Sequence, residues 1–114
     1  MTSRKDIMEQ QAADALAALG NRTRLRAFKL LVRAGREGTN IGTLQKHLGV
    51  PATTLAHHLA TLAQAGLMEQ ERRGREVICT ANYKAVNEVL AYVKAECCAG
   101  LQDASDEAAC IFLP

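Results

Sequence analysis

Residues 44–80 read LQKHLGVPATTLAHHLATLAQAGLMEQERRGREVICT, and the succession of patterns in this stretch decides the fold. A short helix breaks at Gly49, and a second helix begins near Pro51, a residue that suits the first helical position. Gly66 ends this second helix. Its apolar residues recur at helical spacing and are expected to be buried: Leu55, Leu59 and Leu62. Two helices joined by a Gly-containing turn predict a helix-turn-helix.

The period then changes from helical spacing to alternation. Residues 67–71 and 76–80 predict two strands, and Gly74 between them can take the positive φ of a tight turn. The result is a β-hairpin with a basic tip that carries Arg72, Arg73 and Arg75. Arginines on such a tip suit phosphate contacts or entry into a minor groove, although an ordinary solvated turn is about as common.

Helices are also predicted on both sides of this stretch. The first runs from about Lys5 to Leu19, Asn21 caps the second, which ends near Gly35, and the last runs from about Lys84 to Cys98. Residues 36–39 are expected to form a polar loop. The apolar residues expected to face inward are Met8, Ala12, Ala15, Leu16 and Leu19, then Leu25, Phe28, Leu31 and Val32, then Ile41, Leu44 and Leu48, and finally Val86, Val89, Leu90, Val93 and Cys97. The predicted class is mainly α with a β-hairpin wing, in one domain over residues 1–100 followed by a tail over 101–114.

Length and composition narrow the class further. At 114 residues, a monomer buries only about two-thirds of its unfolded surface, so a dimer is favoured. A formal charge of +2 does not by itself indicate a nucleic-acid partner, so evidence for DNA binding must come from where the charged residues lie in the sequence. No apolar run approaches the ~20 residues that span a bilayer, and the start of the chain is too polar for a secretion signal. We therefore expect a cytoplasmic protein whose four cysteines are thiols, metal ligands or redox groups.

The second helix of the pair has a distinctive exposed face. If its three leucines are buried, Thr53 and His57 lie on the opposite side with Thr54 beside them, and His58 falls nearer the core. Short polar side chains near the start of a helix can contact base edges in a major groove. An ordinary solvated face is the alternative, and the basic hairpin that follows favours the DNA-binding interpretation.

Taken together, these motifs resemble the ArsR/SmtB family of bacterial repressors, over roughly residues 13–93. The resemblance implies a winged helix-turn-helix homodimer that pairs through its first and last helices, binds an imperfect inverted repeat and loses DNA affinity when a ligand binds. The sequence differs from the family pattern at Ala52 and Ala56, where polar residues are common. The segments that carry the resemblance are residues 21–25, 44–59, 62–67 and 72–75.

The family places inducer sites at different points on this scaffold. The usual arsenic site is a Cys-x-Cys motif in the short helix, and residues 40–44 here contain no cysteine. Zinc-sensing members use Asp and His on the last helix, and residues 84–98 contain neither. All three histidines lie in the DNA-reading region, which gives them little prospect as metal ligands: His47, His57 and His58. The cysteine thiols are therefore the remaining candidates for the inducer site.

Cys97 and Cys98 are adjacent at the predicted end of the last helix, where two thiols make a poor disulfide but a good chelate for a thiophilic ion or metalloid. The pair resembles an arsenical-sensing subgroup of these repressors, which implies trivalent arsenic or antimony as the inducer and no obligatory cofactor. Cys110 is a candidate third ligand because a tail of this length folds back readily. Without it, a two-thiol site suits a monomethylated arsenical. Cys79 is assigned to packing.

Two other functions compete for the same cysteines. A thiol redox or persulfide sensor of the same fold is the main alternative, although such family members usually pair a cysteine on the second helix with one on the last, and residues 21–35 contain none. A metalloid-binding protein with no DNA role would leave the basic hairpin unexplained. No nucleophile with a plausible base, phosphate loop or cofactor motif is present, so no enzyme is expected.

Overall fold

Five α-helices and a three-stranded antiparallel sheet form residues 4–101, the part of the chain that this computed structural model describes. Side chains are described from Met8 onward. A single 3-10 turn, Gly35–Glu37, lies between the second helix and the first strand. The elements in chain order are α1 (Arg4–Leu19), α2 (Arg22–Ala34), β1 (Thr39–Asn40), α3 (Ile41–Leu48), α4 (Ala52–Gln64), β2 (Met68–Arg73), β3 (Glu76–Ala81) and α5 (Tyr83–Lys94).

The predicted helix-turn-helix is α3 and α4. Asn40 caps α3 by accepting a hydrogen bond at Oδ1 from the backbone N–H of Thr43, at 2.8 Å. Gly49 ends α3 in the left-handed conformation, at φ 66°. Pro51 is the N-cap of α4 and not its first helical residue, so the sequence placed this boundary one residue early.

The end of α4 is a Schellman motif. The N–H of Gly66 donates to the carbonyl of Ala63, and the N–H of Leu67 donates to that of Leu62, both at 3.0 Å. Gly66 adopts φ 79°, which favours glycine. Leu62 and Leu67 are both fully buried, so the motif turns the chain from α4 directly into the core and then into the hairpin.

The sheet has the strand order β1-β3-β2. Arg73 pairs with Glu76, which leaves Gly74 and Arg75 as a two-residue turn of the type II′ kind, with positive φ only at Gly74. The hairpin was predicted but β1 was not, since Thr39 was expected to end a polar loop and Asn40 to precede the short helix directly. The two residues of β1 pair with β3, and Asn40 Nδ2 donates to Glu76 Oε1 at 3.3 Å, so the segment before α3 is joined to the wing.

The core contains the predicted leucines but not every predicted apolar residue. Less than 2% of the side chain is exposed for Leu31, Leu44, Leu55, Leu59, Leu62, Leu67 and Cys79. Small residues take the buried positions at the helix crossings of α1 and α2, where they let neighbouring helices approach closely: Ala12, Ala15, Ala18 and Ala27. Five apolar residues expected inside are instead 38–53% exposed: Leu16, Leu25, Val32, Leu90 and Val93.

The last helix is shorter than the sequence predicted. It was expected to reach Cys98, but α5 ends at Lys94 and the chain continues through a turn over residues 95–98. Because Val93 is half exposed, a further helical turn would bury little, and cysteine is a poor helix former. Glu96 and Cys98 adopt positive φ, at 63° and 66°, which is uncommon for residues other than glycine. Within residues 4–101, no helix is long and apolar enough to cross a membrane.

Candidate nucleic-acid interface and sulfur pair

The exposed face of α4 has the composition that the sequence predicted. Thr53, Thr54 and His57 are exposed, and His58 is half-buried. Leu55, Leu59 and Leu62 hold the opposite face of the helix in the core. The structure therefore confirms which side of α4 is open to a partner, while the contacts of individual side chains with bases remain predictions.

An arginine joins α4 to the end of α1. Arg24 Nε donates to the carbonyl of Ala18 at 2.7 Å, and Arg24 Nη1 lies 3.4 Å from His58 Nδ1. Burial, the guanidinium of Arg24 and the ring of His57 each lower the pKa of His58 below its usual value. A neutral His58 can accept a hydrogen bond from Arg24, which is a donor only. Sequence reasoning missed this contact because the two residues are 34 positions apart and follow no shared period.

The three hairpin arginines are all exposed, but their surroundings differ. Arg73 Nη2 lies 3.2 Å from Glu71 Oε2, and Arg73 pairs across the turn with Glu76. Arg72 projects from the other face of β2, opposite Val77. Arg73 is therefore partly neutralised by its neighbours, whereas Arg72 and the turn residue Arg75 present their charge to solvent.

The structure brings the predicted sulfur pair together in a turn and not on a helix. Cys97 Sγ and Cys98 Sγ are 3.2 Å apart. The sequence placed Cys97 on the buried stripe of the last helix, yet it is exposed, and Cys98 is half-buried. Cys98 is disulfide-bonded in the structure, so any chelation by this sulfur requires its reduction. Cys110, the candidate third ligand, lies outside the described residues.

The remaining cysteine has the surroundings of a packing residue. Cys79 is fully buried in β3, and Gln70 Nε2 donates to its sulfur at 3.8 Å. Burial raises the pKa of the Cys79 thiol, which disfavours the reactive thiolate. Within the described part of the chain, no group of three His, Cys, Asp or Glu side chains is placed to hold a metal ion.

Fold and exposed helix define a winged helix-turn-helix regulator, and comparison with known proteins agrees. Residues 19–71 match a helix-turn-helix domain family. The HTH-type transcriptional regulator YgaV of Escherichia coli K12 is 31% identical over 85 residues, which cover 75% of this chain and 84% of YgaV.

Two solved structures share both fold and sequence. An ArsR-like transcriptional regulator from Rhodococcus sp. RHA1 is 28% identical, with a TM-score of 0.67 and coverage of 75% of this chain and 78% of that one. A homodimeric winged helix-turn-helix DNA-binding domain from Mycobacterium bovis is 26% identical, with a TM-score of 0.66 and coverage of 84% and 88%. The chain belongs to the ArsR family of transcriptional regulators.

Proposed function

We propose that this protein is a metalloid-responsive repressor that binds an inverted repeat in operator DNA as a homodimer and is released when trivalent arsenic or antimony binds its C-terminal cysteines. The observation that supports the inducer is the approach of Cys97 Sγ and Cys98 Sγ to 3.2 Å. The dimer is supported by the homodimeric relative, and the DNA target is supported by the helix-turn-helix that this chain shares with known regulators.

The two sulfurs lie close enough for one ion to bond to both. Cys97 Sγ and Cys98 Sγ belong to the same turn and are 3.2 Å apart, so reduction of Cys98 would leave two neighbouring thiols for one ligand. Trivalent arsenic makes pyramidal bonds to two or three thiolates.

The number of sulfurs decides which arsenical binds. A monomethylated arsenical needs only the pair Cys97 and Cys98, because its methyl group fills the third position. Inorganic arsenite or antimonite has three exchangeable positions, and Cys110 is the third ligand that we propose for it.

In the proposed complex with DNA, α4 lies in the major groove and the hairpin contacts the adjacent backbone. Thr53, Thr54 and His57 read base edges, since they are the exposed polar side chains of the first half of α4. Phosphate contacts come from the wing: Arg72, Arg75 and, to a smaller extent because of Glu71, Arg73.

A chain of contacts connects the two sites. The cysteine turn directly follows α5, which packs against α1. The carbonyl of Ala18 near the end of α1 holds Arg24, which contacts His58 on α4. A ligand that reshapes the turn changes the seating of α5 on α1, and this alters the position of α4.

Gel mobility of an operator duplex, with and without arsenite, tests the proposal in the constant presence of a phosphine reductant, which contains no thiol that could bind the arsenite. Cys97→Ser and Cys98→Ser should each bind DNA normally and lose release by arsenite, because the adjacent pair is broken and only one of its sulfurs remains besides Cys110. Cys79→Ala is the control and should respond like the wild type. Wild-type release at the usual arsenite concentration in either serine variant would show that the pair is not the site.

Cys110→Ser separates the two ligand sets. With three sulfurs, this variant loses the response to arsenite and keeps the response to methylarsenite, whereas with two sulfurs it keeps both. X-ray absorption on the arsenite complex counts the sulfurs directly, and a count of two in the wild type would rule out Cys110.

The disulfide at Cys98 favours one second candidate, a thiol redox or persulfide sensor of the same fold. In that case an oxidant or persulfide donor alone would release the DNA, and dithiothreitol would restore binding. Release by arsenite in the presence of the phosphine reductant distinguishes the metalloid sensor from this alternative.

A further inference from the structure

The helix α2 carries a row of positive charge that the proposed function does not use. Its sequence, RTRLRAFKLLVRA, contains five basic residues and no acidic one. At 100° per residue, four of them fall within an arc of about 60° along the whole helix. We call this row the α2 basic stripe, and it consists of Arg22, Arg26, Lys29 and Arg33, all exposed.

The stripe faces away from the DNA-reading helix. The buried residues of α2, which are Ala27, Phe28 and Leu31, lie on the side opposite the stripe, and α2 packs against α4. The inward face of α4 carries leucines, so its exposed residues point away from α2. The stripe and the reading face therefore lie on opposite sides of the α2–α4 pair, and a duplex seated on α4 cannot cover the stripe.

The charges of the stripe are not compensated within the described residues. No acidic side chain there forms a salt bridge with any member of the stripe, in contrast to Arg73 and Glu71. Neighbours in the stripe are three or four residues apart, a spacing at which like charges destabilise a helix. Arg22 also places positive charge at the helix N-terminus, where the dipole disfavours it. The arrangement opposes folding, as expected of a surface that an anionic partner neutralises.

We propose that the α2 basic stripe binds the phosphates of a second DNA duplex without sequence preference, so that one regulator can hold two DNA segments. This inference rests on the DNA-binding part of the proposed function. From Arg22 to Arg33 the stripe is about 16 Å long, which corresponds to about five base pairs along the axis of a duplex. The aromatic residue of α2, Phe28, is buried, so the stripe offers no stacking platform for single strands.

A two-duplex capture assay tests this inference. A duplex fixed to beads is loaded with protein, and a labelled duplex of unrelated sequence is then added at low salt. The wild type should retain the labelled duplex. The double variant Arg26→Gln/Lys29→Gln should lose most of this capture while still binding the fixed duplex, because α4 and the wing are unchanged.

Two matched variants make the result specific. Lys84→Gln/Lys94→Gln removes two exposed charges of α5, so it alters the net charge equally, and it should capture like the wild type. Arg72→Gln/Arg75→Gln should weaken binding to the fixed duplex itself. Capture by the α2 variant equal to that of the wild type, with circular dichroism showing both folded, would overturn the inference. Failure of the wild type to bind the first duplex would instead contradict the proposed function.

Discussion

His58 lies between the reading surface and the core, and its protonation state is coupled to both. Its Nδ1 is 3.4 Å from the guanidinium of Arg24, and the ring of His57 is its neighbour on α4, with the ring centres 6.0 Å apart. Protonation would place a second positive charge against Arg24 and remove the acceptor at Nδ1. The lowered pKa of His58 reflects this, together with its burial.

Stability should therefore depend on pH through His58. Because its pKa is lower in the folded protein, the unfolded chain binds more protons in the window between that lowered value and about 6.5. Stability is then complete above about pH 6.5 and falls as the pH decreases through the window. Urea unfolding of the wild type and His58→Gln at several pH values measures this, and the variant should show the smaller decrease. An equal decrease in both proteins would assign the effect to other groups.

At the scale of the elements, Gly38 sets the approach of β1 to β3. It adopts φ 71° and ψ −166°, a region that is essentially restricted to glycine. A Cβ at this position would lie 2.5 Å from the carbonyl oxygen of Cys79 and 2.7 Å from Thr80 Cγ2. The backbone therefore requires glycine for both conformation and space.

Gly38→Ala should destabilise the protein by about 2 kcal/mol or more, from backbone strain and the collision with β3. Gly49→Ala is the control, because Gly49 also has positive φ but a Cβ there meets nothing within 4 Å. That variant should lose only about 1 kcal/mol. The midpoint of urea unfolding measures both, and equal losses would show that contact with β3 is unimportant.

The elements show how far sequence reasoning reaches. Leu55, Leu59 and Leu62, the cap at Asn21 and the turn at Gly74 were all predicted, because each has a local signal in spacing or residue type. By contrast, β1 has two residues, too few for any alternation, and its existence depends on pairing with a strand almost 40 positions later.

The exposed apolar residues show a second feature that the sequence alone did not predict, which is the side of each helix that is buried. Leu16 follows helical spacing, but α1 is so rich in alanine that its apolar residues do not define one side. The sequence pattern predicted that the large apolar side chains of α1 are buried, whereas the close packing of α1 against its neighbours buries the small ones. For the candidate site, the adjacency of Cys97 and Cys98 was evident in the sequence, but the end of α5 depends on what the helix can bury.

At the scale of the whole molecule, α5 leaves apolar surface uncovered in the single chain. Leu90 and Val93, three residues apart on the same face, are 53% and 50% exposed. The family resemblance implies that the first and last helices form the dimer interface, and this exposed face gives α5 the surface to do so. In a twofold symmetric interface each residue is buried once from each subunit, so one substitution alters the interface at two places.

Leu90→Glu should therefore weaken dimerisation by about 3 kcal/mol, or roughly 100-fold in the dissociation constant. Sedimentation equilibrium measures the change. Leu25→Glu is the control, because Leu25 is similarly exposed, at 45%, but lies on α2. A dimer unchanged by Leu90→Glu would place the interface elsewhere.

Asn40 has a consequence for how such a regulator moves. One residue caps α3, pairs in the sheet with Ile78 and donates to Glu76 near the tip of the wing. On the side of α3 the hairpin is therefore joined to the recognition unit by strand pairing and by one side-chain hydrogen bond. If the protein is the dimeric repressor proposed above, a signal at the end of α5 would act by changing the distance and tilt between the two subunits, and the spacing of the operator half-sites would decide which DNA the ligand-bound form can still bind.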